Sequence, residues 1–386
     1  MRVVHVITRL VLGGAQENTL YNCEDLVRDY GDEVTLLAGP AEGPEGDLFE
    51  RARKGLDVRT IPELQRAISP RKDWRAYHIV KKAIRELRPE VVHTHSSKAG
   101  ILGREAAWRL KIPAVVHTIH GLPFHPFEKA WKNRLYIETE RRAAKRCHRI
   151  ITVADAMIDQ AVAAGVAPRE KFVTIPSGLE VESFLVPPRP RETVRTELGF
   201  AEGDLVIVKV ARLFELKGHD DLLDLAPDLF RDRPRAKLLF VGGGILERHL
   251  RERVRAAGLE GKVVFTGLVP PARIPELLHA ADIVAHASYR EGLARALPQG
   301  LLAGKPAVSY DVDGAREVVI PETTGFLAPA GDRATFAAGL ARLLDDPALR
   351  ERLGAAGRER CRERFDHRKM TAAIRAEYSS ILAGAK

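Results

Sequence analysis

Short runs of β-branched and aliphatic residues alternate with amphipathic helical stretches along this whole chain, and that rhythm constrains its fold more than any other feature. In the first half the β-rich runs fall at 3–7, 33–37, 91–94, 114–118, 150–153 and 172–175. Helical patterns between them cover 16–29, 75–87, 99–108 and 131–146. Such alternation is the signature of an α/β protein built on parallel sheets. After the stiff segment Val186-Pro187-Pro188-Arg189-Pro190 a second series begins, with runs at 205–210, 237–241, 263–266, 283–286 and 307–310. Proline fixes φ and removes a donor, so this segment continues neither element and reads as a linker. The expectation is two similar α/β domains with parallel sheets facing across a cleft. They would cover residues 1–185 and 186–365, and residues 366–386 would form a closing helix packed back on the first domain.

A chain of 386 residues exceeds the usual size of one core, which agrees with two domains. No run of about 18 apolar residues is present, and the N-terminus enters a strand at once, so neither a spanning helix nor a secretory leader is expected. Cys23, Cys147 and Cys361 are far apart, which favours a reducing cytoplasm over a disulfide frame or a zinc site. The formal charge of +9 suits nucleic acid, an anionic membrane face or phosphorylated substrates. It is densest at 128–149, where eight Lys/Arg stand against three Glu. Two readings of that stretch stand: a solvated helix face, or a surface for anionic lipid or a polyprenyl-phosphate-linked acceptor. Trp131 and Tyr136 are its only aromatics, too few for a nucleic-acid platform.

In open α/β sheets ligands sit beyond the carboxyl ends of strands, so those loops carry the chemistry. Ser288 to Ala294 reads as a strand end followed by an acid, Glu291, on a turn containing Gly292, and then a helix start. Gln299 follows eight residues beyond the acid. Backbone N–H groups there face an anion, and two polar side chains can hold hydroxyls on either side of it. A sugar joined through a diphosphate to a nucleoside presents that pattern. Arg212 and Lys217, at another strand end beside Gly218, can converge on a diphosphate. Gly242-Gly243-Gly244 lets a backbone lie close to a ligand, as does Gly13-Gly14 after the first strand, although a tight turn alone accounts for the latter. His93 and His95 share one strand face with Thr94 opposite, near Lys98, and His117 and His120 end the next strand. They suggest a polar cleft. No H-E-x-x-H or cysteine pair accompanies them, so no metal is expected. Gly300 to Lys305 lacks the spacing and Ser/Thr of a P-loop, and Asp311-Val312-Asp313 is read as capping the helix that follows.

Taken in order, Gly13-Gly14, Thr118-Ile119-His120-Gly121, Ile175-Pro176-Ser177-Gly178-Leu179, Arg212…Lys217-Gly218, Phe265-Thr266-Gly267 and the Glu291 region resemble a GT-B glycosyltransferase. More narrowly they resemble the large retaining, GT4-like family typified by sucrose synthase and bacterial mannosyl- and glucosyltransferases, with its group 1 domain. The resemblance covers nearly the whole chain. It implies metal-independent transfer of a sugar, with retention, from a nucleotide-diphosphate sugar to a hydroxyl acceptor, and the basic stretch at 128–149 inclines the expectation for that acceptor towards a lipid-linked or cell-envelope glycan. No cofactor is implied, and the protein would be cytoplasmic, with peripheral membrane contact through 128–149.

The resemblance also implies roles. Arg212 and Lys217 would hold the donor diphosphate, Glu291 and the N–H groups of Gly292, Leu293 and Ala294 the donor sugar. His120 would sit beside that sugar. Gly13, Gly14, Gly243 and Glu317 would line the donor, and His95 and Lys98 would lie on the acceptor side. Gln299 departs from the family's second glutamate, which takes ribose hydroxyls, and keeps an acceptor oxygen without the charge. Asp313 replaces a frequent glycine. A sugar-nucleotide epimerase or hydrolase of the same fold is the alternative, and a binder of anionic polymers the distant one.

Overall fold

The computed structural model describes residues 1–41 and 46–384. The chain divides into two compact units, Met1–Gly178 with His367–Lys386, and Leu179–Asp366.

The first unit is built on seven strands: β1 (Arg2–Ile7), β2 (Glu33–Ala38), β3 (Asp57–Thr60), β4 (Val91–His95), β5 (Ala114–Ile119), β6 (Arg149–Thr152) and β7 (Phe172–Thr174). They form one parallel sheet in the order β3-β2-β1-β4-β5-β6-β7. The order reverses between β1 and β4, which makes their carboxyl ends the switch point where α/β sheets bind ligands. Helix Gly14–Tyr30 follows β1 and helix Ser97–Arg109 follows β4. The C-terminal helix His367–Gly384 brings Met370, Ile374 and Tyr378 into one core with Val3, Cys23, Leu26, Val91 and Val116. Each fully buried large side chain there contributes about 1.5–3 kcal/mol of transfer free energy. Asp25, fully buried in helix Gly14–Tyr30, accepts from His367 Nδ1 at 2.7 Å and Thr371 Oγ1 at 2.8 Å. Its burial is therefore compensated by hydrogen bonds from the closing helix itself.

The second unit carries six strands: β8 (Leu205–Val210), β9 (Ala236–Val241), β10 (Val263–Phe265), β11 (Ile283–His286), β12 (Ala307–Tyr310) and β13 (Gly325–Ala328). Their order, β10-β9-β8-β11-β12-β13, is again parallel and reverses between β8 and β11. Its core gathers Ile207, Phe240, Ala285, Val308, Tyr310 and Phe336.

The units divide after Gly178 rather than at the proline-rich segment expected to join them. Phe184, just before that segment, is 6% exposed, and its carbonyl accepts from His279 Nε2 at 2.9 Å, which anchors 179–185 to the second unit. The segment is a surface turn between the short helices Glu182–Leu185 and Arg191–Glu197, with Val186 67% exposed. The crossing itself is tight instead: a Cβ on Gly178 would lie 2.4 Å from the His367 Cα. Strands β3 and β13 were not among the expected runs.

Candidate active site

In the second unit four strand-end loops meet around the β8/β11 switch point. Gly218 has φ 67° and a Cβ there would fall 1.8 Å from the Ala287 carbonyl oxygen, so only glycine lets the loop after β8 lie on the loop after β11. The Tyr289 N–H donates to Leu216 O at 2.8 Å and fixes the same contact. The Gly242–Gly244 turn after β9 joins them: a Cβ on Gly242 would sit 2.3 Å from Ala211 O, and Leu213 N–H donates to Gly243 O at 3.0 Å. The loop after β12 closes the ring, because Gly314 N–H donates to Gly292 O at 3.1 Å and Glu291 N–H to Asp313 Oδ2 at 2.6 Å.

At the centre the Lys217 ammonium donates to Glu291 Oε1 at 2.5 Å, each side chain being 20% exposed. His286 Nε2 stands 3.4 Å from the same oxygen and its Nδ1 3.2 Å from Ser309 Oγ. Burial works to raise the Glu291 carboxyl, but Lys217 and then His286 outweigh it and hold the group well below the usual carboxylate range. Glu291 is therefore a fixed anion beside a cation, in reach of solvent.

Behind the pair lies Lys209, on β8 opposite Phe240, fully buried and with no hydrogen-bond partner for Nζ. Burial, then the charge of Lys217, lowers it to about 7. His219, 1% exposed, is likewise unpartnered at both ring nitrogens and packs edge-on to Phe240 at 5.1 Å. Sequence reasoning passed over Lys209, His219 and His286. His286 could have been found, since it ends a β-rich run as His95 does. Lys209 looks like an outward-facing strand residue until burial is known.

The other expected donor residues lie in this unit in different settings. Arg212 is exposed, its guanidinium carbon 5.0 Å from the Phe214 ring centroid, so the two cations of one loop are held differently. Gly292, Leu293 and Ala294 are buried in the loop before helix Ala296–Leu302, which begins later than the glycine turn suggested. Pro298 is in that helix's first turn, where no intrahelical partner is lost. Gln299 is partly buried. Glu317 places Oε2 3.5 Å from Arg364 NH2. The capping reading of Asp311 and Asp313 is corrected: helix Ala315–Val318 has Gly314 at its N-cap and no side-chain cap. Asp311 instead pairs with Arg316 at 2.5 Å, and Asp313, at φ 47°, orders Glu291.

In the first unit the switch-point loops are also tied together, with Thr8 Oγ1 2.8 Å from Ser96 Oγ and Ala99 N–H donating to Thr8 Oγ1 at 3.0 Å. Gly13 is the N-cap of helix Gly14–Tyr30, with the Glu17 N–H donating to its carbonyl at 3.0 Å. Lys98 is engaged by Asp73 Oδ1 at 2.5 Å and by the Ala67 carbonyl. His93 and His95 do share a face, ring centroids 4.2 Å apart, while Thr94 turns to His117 Nδ1 at 2.9 Å on the other. His5, in register with His93, joins them. His95 Nε2 is 3.0 Å from His5 Nδ1, and His95 Nδ1 is 3.2 Å from His120 Nε2. Burial lowers His93 and His95 well below the ordinary range, with neighbouring imidazoles adding to it, and lowers His5 to about 3. All three are neutral near pH 7. Their nitrogens lie within 4.8 Å of one another, and they are the only such group among the described residues able to hold a metal ion.

The chain matches the family models Glycosyl transferase 4-like domain over residues 13–178 and Glycosyl transferases group 1 over residues 190–360. It is 28% identical over 352 residues to the UDP-Gal:alpha-D-GlcNAc-diphosphoundecaprenol alpha-1,3-galactosyltransferase of Escherichia coli, covering 90% of this chain and 89% of that one. It is 30% identical over 288 residues to the putative glycosyltransferase EpsD of Bacillus subtilis, with 73% and 74% covered. Anabaena HepE, solved in complex with UDP-glucose, superposes with a TM-score of 0.83 at 23% identity, covering 98% of this chain and 100% of that one. At that identity the likeness speaks for the fold. This chain belongs to the group 1 glycosyltransferases, enzymes that use nucleotide sugars, and it has the GT-B fold.

Proposed function

We propose that this enzyme moves a sugar from a nucleotide-diphosphate donor to a hydroxyl on a lipid-linked or cell-envelope glycan, with retention at the anomeric carbon and without a metal. The contact between Lys217 Nζ and Glu291 Oε1 carries the reading. A phosphate oxygen on Lys217 and a sugar hydroxyl on Glu291 would put the bond that breaks between two groups already adjacent. Charge developing on the departing diphosphate then meets Lys217 and Arg212, which can supply what a metal supplies elsewhere. Glu291 is held as an anion by Lys217 and His286, which suits a hydroxyl acceptor better than a nucleophile. That supports a front-face route in which the leaving phosphate takes the acceptor proton. His120, Gly13 and Gly14 act beside the donor and Lys98 towards the acceptor in this proposal, while His95, 1% exposed and bonded to His5 and His120, acts through His120 instead of touching the acceptor. Gly243 and Glu317 line the donor, and Gln299 takes the ribose.

The lipid-linked acceptor is supported by the Escherichia coli relative, whose name specifies a diphosphoundecaprenol substrate. It is supported too by the surface around helix Ala130–Ala144, where Phe127 (54% exposed), Trp131 (63%) and Leu135 (52%) stand among Lys129, Lys132 and Arg134. Apolar side chains amid cations fit an anionic membrane face. No helix among the described residues is long and apolar enough to cross a membrane.

The test is nucleoside diphosphate release from UDP-, GDP- and ADP-sugars with a prenyl-diphosphate glycan as acceptor, and anomeric configuration read by NMR. The expected result is acceptor-dependent release with one base, retention, and no loss in EDTA. Inversion, or loss of release in EDTA, contradicts the proposed mechanism.

A further inference from the structure

Three neighbouring strands, β1, β4 and β5, deliver His5, His95 and His120 to one line of hydrogen bonds. His5 is paired in register with His93, and His95 with Thr118, so His5 and His95 stand on one sheet face and His120 follows two residues beyond Thr118. The rings are near-parallel, His5 to His95 at 5.3 Å and 12°, and His95 to His120 at 5.4 Å and 26°. His93 packs against both His5 and His95, yet its nitrogens go elsewhere, Nε2 to Thr118 Oγ1 at 2.7 Å and Nδ1 to the Tyr378 hydroxyl. His93 is therefore not a member of the line.

A neutral imidazole has one N–H and one bare nitrogen, so each N–H···N bond in such a line has a single direction, and that direction is shared along the line. Two polarities exist. In one, His120 Nε2–H donates to His95, His95 Nε2–H donates to His5 Nδ1, and His5 must carry its proton on Nε2. That nitrogen is buried and has no partner. Orphaned buried N–H groups are rarer than under-satisfied acceptors. In the other polarity His5 and His95 donate through Nδ1–H, and the atom left without a partner is only a bare nitrogen. His120 then accepts at Nε2 and holds its proton on Nδ1.

We propose that His5 and His95 are positioning residues for the transfer reaction, forming with His120 a one-way imidazole chain that fixes His120 as the Nδ1–H tautomer. The consequence rests on the reading of His120 as a residue beside the donor sugar: it meets the substrate as an N–H donor at Nδ1, in a ring orientation set two strands away. The charged and titratable groups around the chain are His93 and Tyr378 on its own face and His117, Arg104 and Glu140 on the other, where Arg104 and Glu140 pair at 2.8 Å. His93 bonds to Thr118 and Tyr378, His117 to Thr94, and Arg104 to Glu140. Because His93 commits both nitrogens to hydroxyls and His95 both to imidazoles, the three-histidine group is occupied as a hydrogen-bond network, and a metal taking one nitrogen of each would displace at least two of those bonds.

The experiment is a long-range ¹H–¹⁵N spectrum of the full chain labelled at its 13 histidines, with kinetics on the same samples. His120 is expected as Nδ1–H in the wild type, and His95→Leu is expected to convert it to a tautomer mixture. That variant should lower kcat by about 10–100-fold while leaving donor KM within about twofold, as loss of an orienting partner does. His95→Asn, whose amide N–H replaces Nδ1–H, restores both readouts. His5→Leu is the second variant should His95→Leu fail to fold, and it should also release His120 from a single tautomer. His120 found as Nε2–H, or unaltered by both leucine variants, overturns the proposal, as does zinc at one per chain in the purified protein. His120→Ala separates the two claims: full turnover in that variant removes His120 from the reaction, whatever its tautomer.

Discussion

His5 on β1 and His95 on β4 are buried, neutral and bonded to each other, and His95 bonds on to His120 just beyond β5, whereas the polar groups beyond β8 and β11 are ionised and bonded to opposite charge. Both sets occupy the switch point of a parallel sheet. The imidazole set has exchanged solvent for internal partners almost completely, so it is a scaffold whose geometry is its contribution. The Lys217–Glu291 pair remains one-fifth exposed and can trade its internal bond for a ligand's. An ion pair in reach of solvent can exchange its internal bond for charge-assisted bonds to a ligand, while the buried set would lose hydrogen bonds that nothing replaces. The contrast separates a site that receives charge from one that presents oriented donors.

The sharpest way to break this contrast is Lys217→Ala, which removes the cation while leaving the loop's backbone contact to Tyr289. Catalytic efficiency should fall roughly 1,000-fold, the scale of losing a charge-stabilising donor, read as kcat/KM for nucleoside diphosphate release. Activity within tenfold of wild type would move the diphosphate elsewhere.

Lys209→Met comes next and acts on stability. Lys209 has its folded pKa lowered from 10.5 to about 7, so between those values the unfolded chain binds the extra proton and wild-type stability rises with pH. The cost is full below about 7 and disappears above 10.5. Methionine should therefore stabilise the protein by about 3 kcal/mol at pH 7, with the gain shrinking towards pH 10. Chemical denaturation at two pH values checks this, and a pH-independent gain would mean Lys209 is not the titrating group.

Tyr378→Phe removes the hydroxyl bonded to His93 Nδ1 from the imidazole scaffold. Leaving that nitrogen unpaired should cost about 2 kcal/mol in stability with donor KM unchanged; an altered KM would couple scaffold to donor. Gln299→Glu is the smallest step. A charged acceptor is stronger than a neutral one by about 1 kcal/mol, so donor KM should fall severalfold in initial-rate assays, and an unchanged or raised value would count against a ribose contact.

Much of this was legible in the sequence because central parallel strands are buried on both faces and read as continuous aliphatic runs. The strands that escaped, β3 and β13, are the outer members of their sheets. Asp57-Val58-Arg59-Thr60 is mostly exposed and carries two charges, so it lacks the pattern of an inner strand. The boundary escaped for a related reason: proline marks where backbone donors are absent, but the chain changes units where Leu179 is buried. Glu291, Lys217 and the histidine face were readable from strand ends and period-two alternation. Lys209, His5 and Asp313 were not, since their roles depend on what lies opposite in the sheet or across a loop.

Calorimetric titration of the wild type, Lys217→Ala and Glu291→Gln with a nucleotide sugar and with its bare nucleoside diphosphate tests the central claim most directly. Lys217→Ala should lose affinity for both ligands, whereas Glu291→Gln should keep the bare diphosphate and lose the increment contributed by the sugar. Wild-type affinities for both ligands in both variants would contradict the assignment of this corner to the sugar–phosphate junction.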